Sequence, residues 1–422
     1  MTKRLVSILG LGPLPAAPHY VPTTYAPESA PGQRSTETPL VQRALCDLDP
    51  DIASVVLLGT EAVKARWIDT GLARAVLGRD FAFTLLPDGR SPDERWQIFH
   101  KVARALRADA LDGLEDEPPT AVVFDVTHGF RLQPMLELAA LAFVRADEAR
   151  DGFELTPIRV SYGAFEAKDA AGVAPIWDLT ELLVAAQWNS AFDALLRYGR
   201  ADEVHRLAID TARRSGAPRD ARDVLEGFAQ RARRFADDLS LSRVSSVFKS
   251  SATALRESVE DPAFRAWFKV LPVLESPIET LRLRLRRLQS DDVVSREGLR
   301  AQAQLAKTHF ETGQFAAAAV AIREGLVDLA GLLLGHAPLL EPGADFTGRA
   351  RAEVENRLKE TPGNPRGNPL ERIVAFANRF RGVRNDILHG GRDRPREAPK
   401  LRDELARAVA DFERLVASQT RS

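Results

Sequence analysis

Residues 121–134, AVVFDVTHGFRLQP, decide the fold of this chain. Ala121–Val126 is predicted to be a short, fully buried strand, because its residues are mostly apolar or β-branched and too few for a helix. Residues 127–131 then turn the chain, and apolar residues at helical spacing follow from Met135 to Ala149. Pro134 suits the first turn of that helix, where its missing N–H costs nothing. The stretch therefore predicts a strand, a polar turn and a helix.

The polar turn of this unit is a candidate binding site. In an open parallel sheet, ligands and especially phosphates bind where the carboxyl end of a strand faces a helix N-terminus. His128 and Arg131 in the turn are suited to an anionic ligand. The alternative is that His128 only caps the helix while Arg131 is solvated, and the turn by itself leaves both interpretations open.

Similar strand and helix patterns alternate through the first 179 residues. Short apolar runs predict strands, and the connections between them are long enough for helical crossovers. The sequence therefore predicts an α/β, Rossmann-like domain with a parallel, doubly wound sheet. The predicted strands are Arg4–Leu9, Ala53–Leu58, Phe81–Leu86, Thr120–Val126, Phe153–Tyr162 and Pro175–Leu179, with Tyr20–Tyr25 as an edge strand or hairpin.

Three of these strands end in glycine or polar turns that are expected to converge at one edge of the sheet. The glycine turn lacks the spacing of a dinucleotide fingerprint, so NAD binding is not expected. The convergence predicts a ligand pocket instead. Its candidate ligand-binding residues are Gly10, Gly12, Thr60, Glu61, Thr127, His128, Gly129 and Arg131.

The chain from residue 180 to 422 shows helical periodicity and no convincing strand. The stretch HFETGQFAAAAVAIREGL resembles one helical hairpin, but no second copy recurs at a fixed period, which argues against a solenoid. The predicted organisation is an α/β domain over residues 1–179 and an all-helical domain over residues 180–422.

Composition narrows the class of protein. The 422 residues are 45% hydrophobic and 28% charged, which is typical of a soluble globular protein. A formal net charge of −1 indicates that any nucleic acid would be bound in a local pocket rather than by a general basic field. Cys46 is the only cysteine, which excludes a disulfide framework and a cysteine-based metal site and fits a cytoplasmic protein. No apolar run predicts a membrane span, and the N-terminus continues as a strand rather than a signal.

A second candidate site lies near the C-terminus, in RNDILHGG (residues 384–391). The helix that carries it begins at NPLE, with Asn368 as the cap, Pro369 at the first position and Glu371 reaching back to the cap. Gly390 ends the helix, so the imidazole of His389 is expected to be accessible. The negative end of the helix dipole favours a protonated histidine there, which suits a general acid or a phosphate contact.

The spacing of Arg384 and His389 is not distinctive by itself. The same spacing occurs at Arg95–His100 and at Arg200–His205. Those two pairs lie within amphipathic helices and are interpreted as ordinary surface or boundary residues. The polar Asn385 and Asp386, and the position at a helix end, set the third pair apart.

Together these motifs resemble a known architecture. DVTHGFRLQP, with LLGTEAV upstream and IWDLTELLVAAQWNSAFDALLRYG downstream, resembles the CRISPR-associated Rossmann-fold (CARF) sensor domain, and RNDILHGG resembles the active-site motif of HEPN ribonucleases. Sensor first and HEPN second is the order of ancillary ribonucleases of type III CRISPR systems. The resemblance covers residues 1–198 and about 300–391.

The resemblance implies a cyclic-oligoadenylate-activated endoribonuclease of antiviral defence. It implies a homodimer, or a higher even oligomer, whose CARF pockets bind one cyclic oligoadenylate and whose HEPN domains cut single-stranded RNA. Such enzymes use no metal or other cofactor, because the substrate's own 2′-hydroxyl attacks the phosphorus and leaves a cyclic phosphate. Arg384, Asn385 and His389 would be the catalytic residues.

Two alternatives remain open. The chain could be a non-catalytic sensor of cyclic nucleotides that regulates through its helical dimer domain, which the neutral net charge and the absence of a basic stripe favour. More narrowly, the sensor pocket could also degrade its activator, with His128 or Thr60 near the scissile phosphate.

Overall fold

The computed structural model describes residues 2–12, 20–107, 119–128, 136, 138–144, 157–214, 218–269, 272–344, 348–364, 368–392 and 396–420. The chain divides into two compact units, Met1–Val184 and Ala185–Ser422. The strands of the described sheet all lie in the first unit, and the described elements of the second unit are helical. The predicted fold class, an α/β domain followed by an all-helical one, is confirmed. The predicted domain boundary at residue 179 stays a prediction.

The first unit is built on one seven-stranded sheet. Its strands are β1 (Lys3–Ile8), β2 (Thr24–Pro27), β3 (Ile52–Gly59), β4 (Ala82–Leu85), β5 (Ala121–Asp125), β6 (Ile158–Gly163) and β7 (Val173–Asp178). Their order across the sheet is β2-β7-β6-β5-β1-β3-β4. The central position of β1, between β5 and β3, is what brings the predicted turns together.

The sheet is parallel except for one pair of strands. β6 and β7 run antiparallel, because the segment of residues 164–172 between them is too short for the crossover that parallel neighbours need. The predicted edge strand is confirmed, although β2 begins at Thr24 rather than Tyr20 and pairs in parallel with β7. Residues 153–156 of the predicted fifth strand lie outside the described residues.

Helices cover both faces of the sheet, as a doubly wound fold requires. They are α1 (Val41–Leu48), α2 (Glu61–Val63), which continues as a π-helical turn (Lys64–Ile68), α3 (Leu72–Leu77), α4 (Pro92–Leu106) and α5 (residues 138–144). In β1, Val6 packs towards the core that includes α4 and α5, and Leu5 packs towards the core that includes α1 and α3. Burial on both faces explains why the central strands are continuous apolar runs.

The helices from residue 180 onward are α6 (Thr180–Tyr198), α7 (Asp202–Arg214), α8 (Arg219–Ser240), α9 (Val244–Ser246) with a π-helical turn (Val247–Ser251), α10 (Ala252–Glu260), α11 (Pro262–Phe268), α12 (Glu275–Arg286), α13 (Arg296–Glu311), α14 (Phe315–Leu333), α15 (Ala337–Leu340), α16 (Arg349–Arg357), α17 (Pro369–Leu388) and α18 (Ala398–Thr420). None of the helices in the described ranges is long and apolar enough to span a membrane.

One hydrophobic core of the second unit contains residues of α17, the helix of the C-terminal motif, together with residues of α13, α14, α16 and α18. The predicted helical hairpin is the pair α13 and α14, and Phe310 and Phe315 on either side of its turn are in ring contact at 5.5 Å. α14 is apolar around most of its circumference, since it is surrounded by the other helices. This packing fixes α17, the helix that carries residues 384–388.

Candidate functional sites

The predicted turns of the first unit lie at one edge of the sheet. Ser7 in β1 pairs with Asp125 in β5, and Ile8 pairs with Leu58 in β3, so the three carboxyl ends are neighbours. Gly10 and Gly12 follow β1, Thr60 and Glu61 follow β3, and Thr127 and His128 follow β5. Gly129 and Arg131 lie outside the described residues. Whether any of these residues binds a ligand stays a prediction.

An aromatic side chain connects these turns. Gly12 has φ of 81°, a left-handed conformation that favours glycine, and its backbone N–H donates a hydrogen bond to the Tyr20 hydroxyl. The Tyr20 ring stacks on His128 at 4.2 Å between centroids and on Trp67 at 6.1 Å. Tyr20, which the sequence interpretation did not include among the site residues, therefore holds the turn after β1 against the turn after β5.

His128 offers a hydrogen bond rather than a positive charge at this edge. Burial lowers the pKa of its imidazole to about 4, so the ring is neutral near pH 7. Its Nε2 atom is buried and has no hydrogen-bond partner within the described part of the chain. An imidazole in this state is a poor electrostatic partner for a phosphate but can donate or accept one directed hydrogen bond.

The residues after β3 differ from each other in exposure. Thr60 is buried and immediately precedes α2, whereas Glu61 is exposed, with its Oε1 3.7 Å from Lys64 Nζ. The lysine partly offsets the negative charge that Glu61 brings to an edge predicted to receive an anion.

A buried carboxylate organises the turn after β5. Asp125 is fully buried, and its oxygens accept hydrogen bonds from Ser7 Oγ at 2.7 Å, Gln42 Nε2 at 3.0 Å and the backbone N–H and hydroxyl of Thr127. Thr127 Oγ1 also accepts from the Gly163 N–H at 2.7 Å. Burial raises the pKa of Asp125, although the hydrogen bonds from these donors act in the opposite direction. Thr127 is thus occupied in fixing the turn to β6.

Replacing Asp125 with alanine is expected to destabilise the chain by about 2 kcal/mol, because Ser7, Gln42 and Thr127 would lose a buried acceptor. Urea unfolding followed by circular dichroism measures the change. Asp80, whose side chain is 87% exposed in the same unit, provides the control, since Asp80→Ala should change stability by less than about 0.5 kcal/mol. Equal effects of the two substitutions would contradict a structural role for the Asp125 network.

The second candidate site is the end of α17. His389 follows the last helical residue, its side chain is exposed, and its backbone N–H donates to the Asn385 carbonyl at 2.9 Å. Gly390 and Gly391 have φ of 62° and 69°, so the chain turns away directly after the histidine. The imidazole is accessible, as the sequence predicts.

Arg384 and Asn385 are in direct contact. Asn385 Oδ1 accepts hydrogen bonds from Arg384 Nε at 3.1 Å and from Nη2 at 2.6 Å. The amide therefore orients the planar guanidinium, leaving its other N–H groups for further partners. Partial burial lowers the pKa of Arg384, and the neighbouring Arg323 and Arg381 add to this effect. The group remains charged, because arginine is not deprotonated in proteins.

Asp386 serves as an anchor in this structure. Its side chain is 5% exposed and accepts from the backbone N–H and Nη1 of Arg396, both at 3.1 Å. Arg396 Nε in turn pairs with Glu404 in α18 at 3.2 Å. The motif therefore separates into Arg384, Asn385 and His389, which are at least partly accessible, and Asp386, which ties the helix end to α18.

The start of α17 agrees with the sequence prediction in two of three respects. Asn368 Oδ1 accepts from the Leu370 N–H at 2.9 Å, and Pro369 occupies the first turn. Glu371 was predicted to reach back to the cap, but the structure does not show this contact. It is buried, accepts from the Gly363 N–H and pairs with Arg357, because these tertiary partners replace the local one.

The two other pairs with the same spacing have different surroundings. His100 is in ring contact with Trp96 and Phe99, at 6.3 and 5.7 Å. His205 is partly buried, which lowers its pKa together with the nearby Arg233. Arg95 and His100 lie inside α4, whereas Arg200 precedes α7 and only His205 lies within that helix, so the prediction of a pair within a helix is wrong for Arg200. In neither pair does the histidine follow the C-terminal end of a helix, as His389 does.

No family model and no curated protein matches the chain. Among solved structures, it is similar to Enterococcus italicus Csm6 bound to cyclic hexa-2′-fluoro-hexa-dAMP, with a TM-score of 0.44 and 11% identity over 99% of this chain and 94% of that chain. In the described ranges, no group of three or more His, Cys, Asp or Glu residues is placed to hold a metal ion.

Proposed function

We propose that this chain is an endoribonuclease that cuts single-stranded RNA at the end of α17 and is activated by cyclic oligoadenylate at the edge of its sheet. The observation that carries the proposal is the grouping of Arg384, Asn385 and an exposed His389 at one helix end. The resemblance of this motif to HEPN ribonucleases, and of the β5 turn to CARF sensors, supports the assignment of substrate and activator.

The proposed reaction is an attack of the RNA 2′-hydroxyl on the adjacent phosphorus. The P–O5′ bond breaks as the 2′-oxygen bonds to phosphorus, which leaves a 2′,3′-cyclic phosphate and a free 5′-hydroxyl. Because the nucleophile is part of the substrate, it needs positioning rather than activation of a water by a metal ion. The 2′-proton is transferred to a base, and the 5′-oxygen receives a proton from an acid.

The residues at the end of α17 fit these requirements. His389 is exposed and can move a proton at a reacting oxygen. Arg384, held by Asn385, can place guanidinium N–H groups on the phosphoryl oxygens, where charge develops. Two histidines, one from each protomer of a dimer, would supply the acid and the base.

Activation requires that the activator binds one arrangement of the dimer more tightly than another. The proposed activator site is the edge formed by the turns after β1, β3 and β5. We infer that α6, which begins two residues after β7 in the chain, transmits the difference.

The experiment is incubation of the purified chain with a labelled single-stranded RNA, with and without cyclic tetra- or hexa-adenylate. Cleavage is expected only with an activator, at a rate that a chelator of divalent metals leaves unchanged, and with products ending in a cyclic phosphate. Absence of cleavage under all conditions would contradict the proposal.

A non-catalytic sensor is the second candidate function. It is favoured by one observation: the cavity that Arg384 lines does not include His389 among its lining residues, so a single chain does not bring the pair into that cavity. This function predicts binding of the cyclic nucleotide without turnover of RNA under any condition.

A further inference from the structure

A cavity of about 270 Å³ lies beside the end of α17, between α14, α16 and α17. Arg384 lies on its wall. The lining residues are Arg323, Leu326, Val327, Glu355, Leu358, Lys359, Ala377, Phe380, Arg381 and Arg384. The volume is near the lower end of the range for small-molecule sites, about 300 Å³, so the cavity suits a group of nucleotide size rather than a long segment.

The charge of this cavity is strongly positive. Four cationic side chains line it against one carboxylate, Glu355. Arg323 pairs with that carboxylate at 2.7 Å. Within the described part of the chain, Lys359, Arg381 and Arg384 have no carboxylate within 4.0 Å. Three cations therefore line this concave surface without a carboxylate at ion-pair distance, although the whole chain has a net charge of −1.

The arrangement of the arginines favours a bound anion. Arg381 and Arg384 are three residues apart in α17 and so lie on the same side of the helix. Burial is the main cause that lowers the pKa of Arg384, and repulsion from Arg323 and Arg381 adds to it against the opposing effect of Glu355. A phosphate placed between these arginines would relieve this repulsion and accept charge-assisted hydrogen bonds.

The floor of the cavity is apolar. It is formed by aliphatic and aromatic residues, of which Leu326, Leu358 and Phe380 are at most 8% exposed. A site for inorganic phosphate alone would not need such a floor, whereas a nucleoside presents an apolar base face next to its phosphate. The combination of cations at the rim and apolar residues below matches a nucleotide.

We propose that this cavity is an RNA-binding subsite that holds one nucleotide of the single-stranded substrate next to the bond cleaved at Arg384 and His389, with Arg381 and Lys359 as ligands of its phosphate. This inference rests on the proposed function and deepens it. Arg381 and Lys359 are positioning residues in this proposal, because they contact the substrate away from the reacting atoms.

The experiment measures binding separately from cleavage. The full-length His389→Ala chain is titrated into a fluorescein-labelled single-stranded oligoribonucleotide, and anisotropy is recorded between about 50 and about 200 mM salt. Adding Arg381→Gln is expected to raise Kd about tenfold, and adding Lys359→Gln to raise it several-fold. Each should reduce the slope of log K against log salt by about 0.7, the value for one lost phosphate contact on a single strand.

The matched control is Arg372→Gln, because Arg372 is an exposed arginine of the same helix that does not line the cavity. It should leave Kd and the salt slope almost unchanged. In the chain that retains His389, Arg381→Gln should raise KM more than it lowers kcat. Lys359 is exposed, so its substitution should leave folding almost unchanged, and Lys359→Gln serves as the test if Arg381→Gln does not fold.

The outcomes separate this inference from the proposed function. Unchanged affinity and salt slope in folded Arg381→Gln and Lys359→Gln would overturn the subsite even if the RNA is cleaved. An equal loss of RNA affinity in Arg372→Gln would overturn the subsite as well, since such a loss would indicate a general charge effect. If the two variants bind RNA more weakly but the wild-type chain does not cleave it, the subsite is supported and the proposed ribonuclease activity is contradicted.

Discussion

Replacing His389 with alanine is expected to reduce the activator-dependent cleavage of RNA by about 10²–10⁴-fold, the usual contribution of proton transfer by a positioned side chain. The imidazole is exposed at the end of α17, and Gly390 and Gly391 turn the chain away from it. Its removal should lower kcat with little change in RNA affinity, because Arg384 remains in place. Single-turnover cleavage of a labelled RNA at saturating activator measures the effect.

The chain supplies a matched control for this substitution. His100 follows Arg95 at the same spacing but lies within α4, in contact with Trp96 and Phe99. His100→Ala should cleave RNA at the wild-type rate. Cleavage by His389→Ala at that same rate would mean that the end of α17 is not the active site, whatever the activity of the chain.

Those parts of the fold that depend on local patterns could be predicted from the sequence. A strand buried on both faces must be a continuous apolar run, which is why β1, β3 and β5 could be recognised. The parallel direction of these three strands followed from their alternation with helices, whereas their order across the sheet came only from the structure. The antiparallel β6–β7 pair was not predicted, since the pairing depends on the short connection of residues 164–172 rather than on the composition of either strand.

The polar network at the edge of the sheet required the structure. Ser7 and Gln42 are 118 and 83 residues from Asp125 in the chain, and no local pattern joins them. A signal was nevertheless present, because an aspartate inside the run AVVFDV must be hydrogen-bonded if the strand is buried. The stacking of Tyr20 on His128 also required the structure, because it results from tertiary folding.

The C-terminal motif was predictable because its residues are contiguous. Arg384 and Asn385 are neighbours, and the position of His389 follows from the helix end at Gly390. The cavity beside it was not predictable, since Arg323 and Lys359 come from other segments and only packing brings them to Arg381. The sequence therefore indicates the proposed chemistry, while the surface that would hold the substrate is a property of the folded unit.

The core of the second unit also contains an acidic group with an unusual environment. Asp328 in α14 is 8% exposed, and one of its oxygens accepts from Gln302 Nε2 at 2.6 Å. Burial raises its pKa from 3.8 to about 7, and the nearby Glu324 adds to the shift against the opposing effect of Arg351. The folded chain therefore binds a proton at this site at pH values where the unfolded chain has released it.

Stability is accordingly expected to fall as the pH rises. Between about pH 4 and pH 7 the folded state holds more protons than the unfolded state, so Asp328 makes the free energy of unfolding decrease with pH and level off above about pH 7. A difference of about three pKa units corresponds to about 4 kcal/mol. Asp328→Asn, which keeps an acceptor for Gln302 but cannot ionise, should be more stable than the wild type by up to this amount at about pH 8.

Urea unfolding of both chains at about pH 5 and about pH 8 measures this effect. The advantage of Asp328→Asn should grow with pH, because only the wild type must keep a carboxylate in an apolar core. Asp291→Asn changes an exposed aspartate of the same unit and should show no such growth. A constant difference between Asp328→Asn and wild type across this range would mean that Asp328 ionises alike in the folded and unfolded chains, and that the core around α14 accommodates its charge.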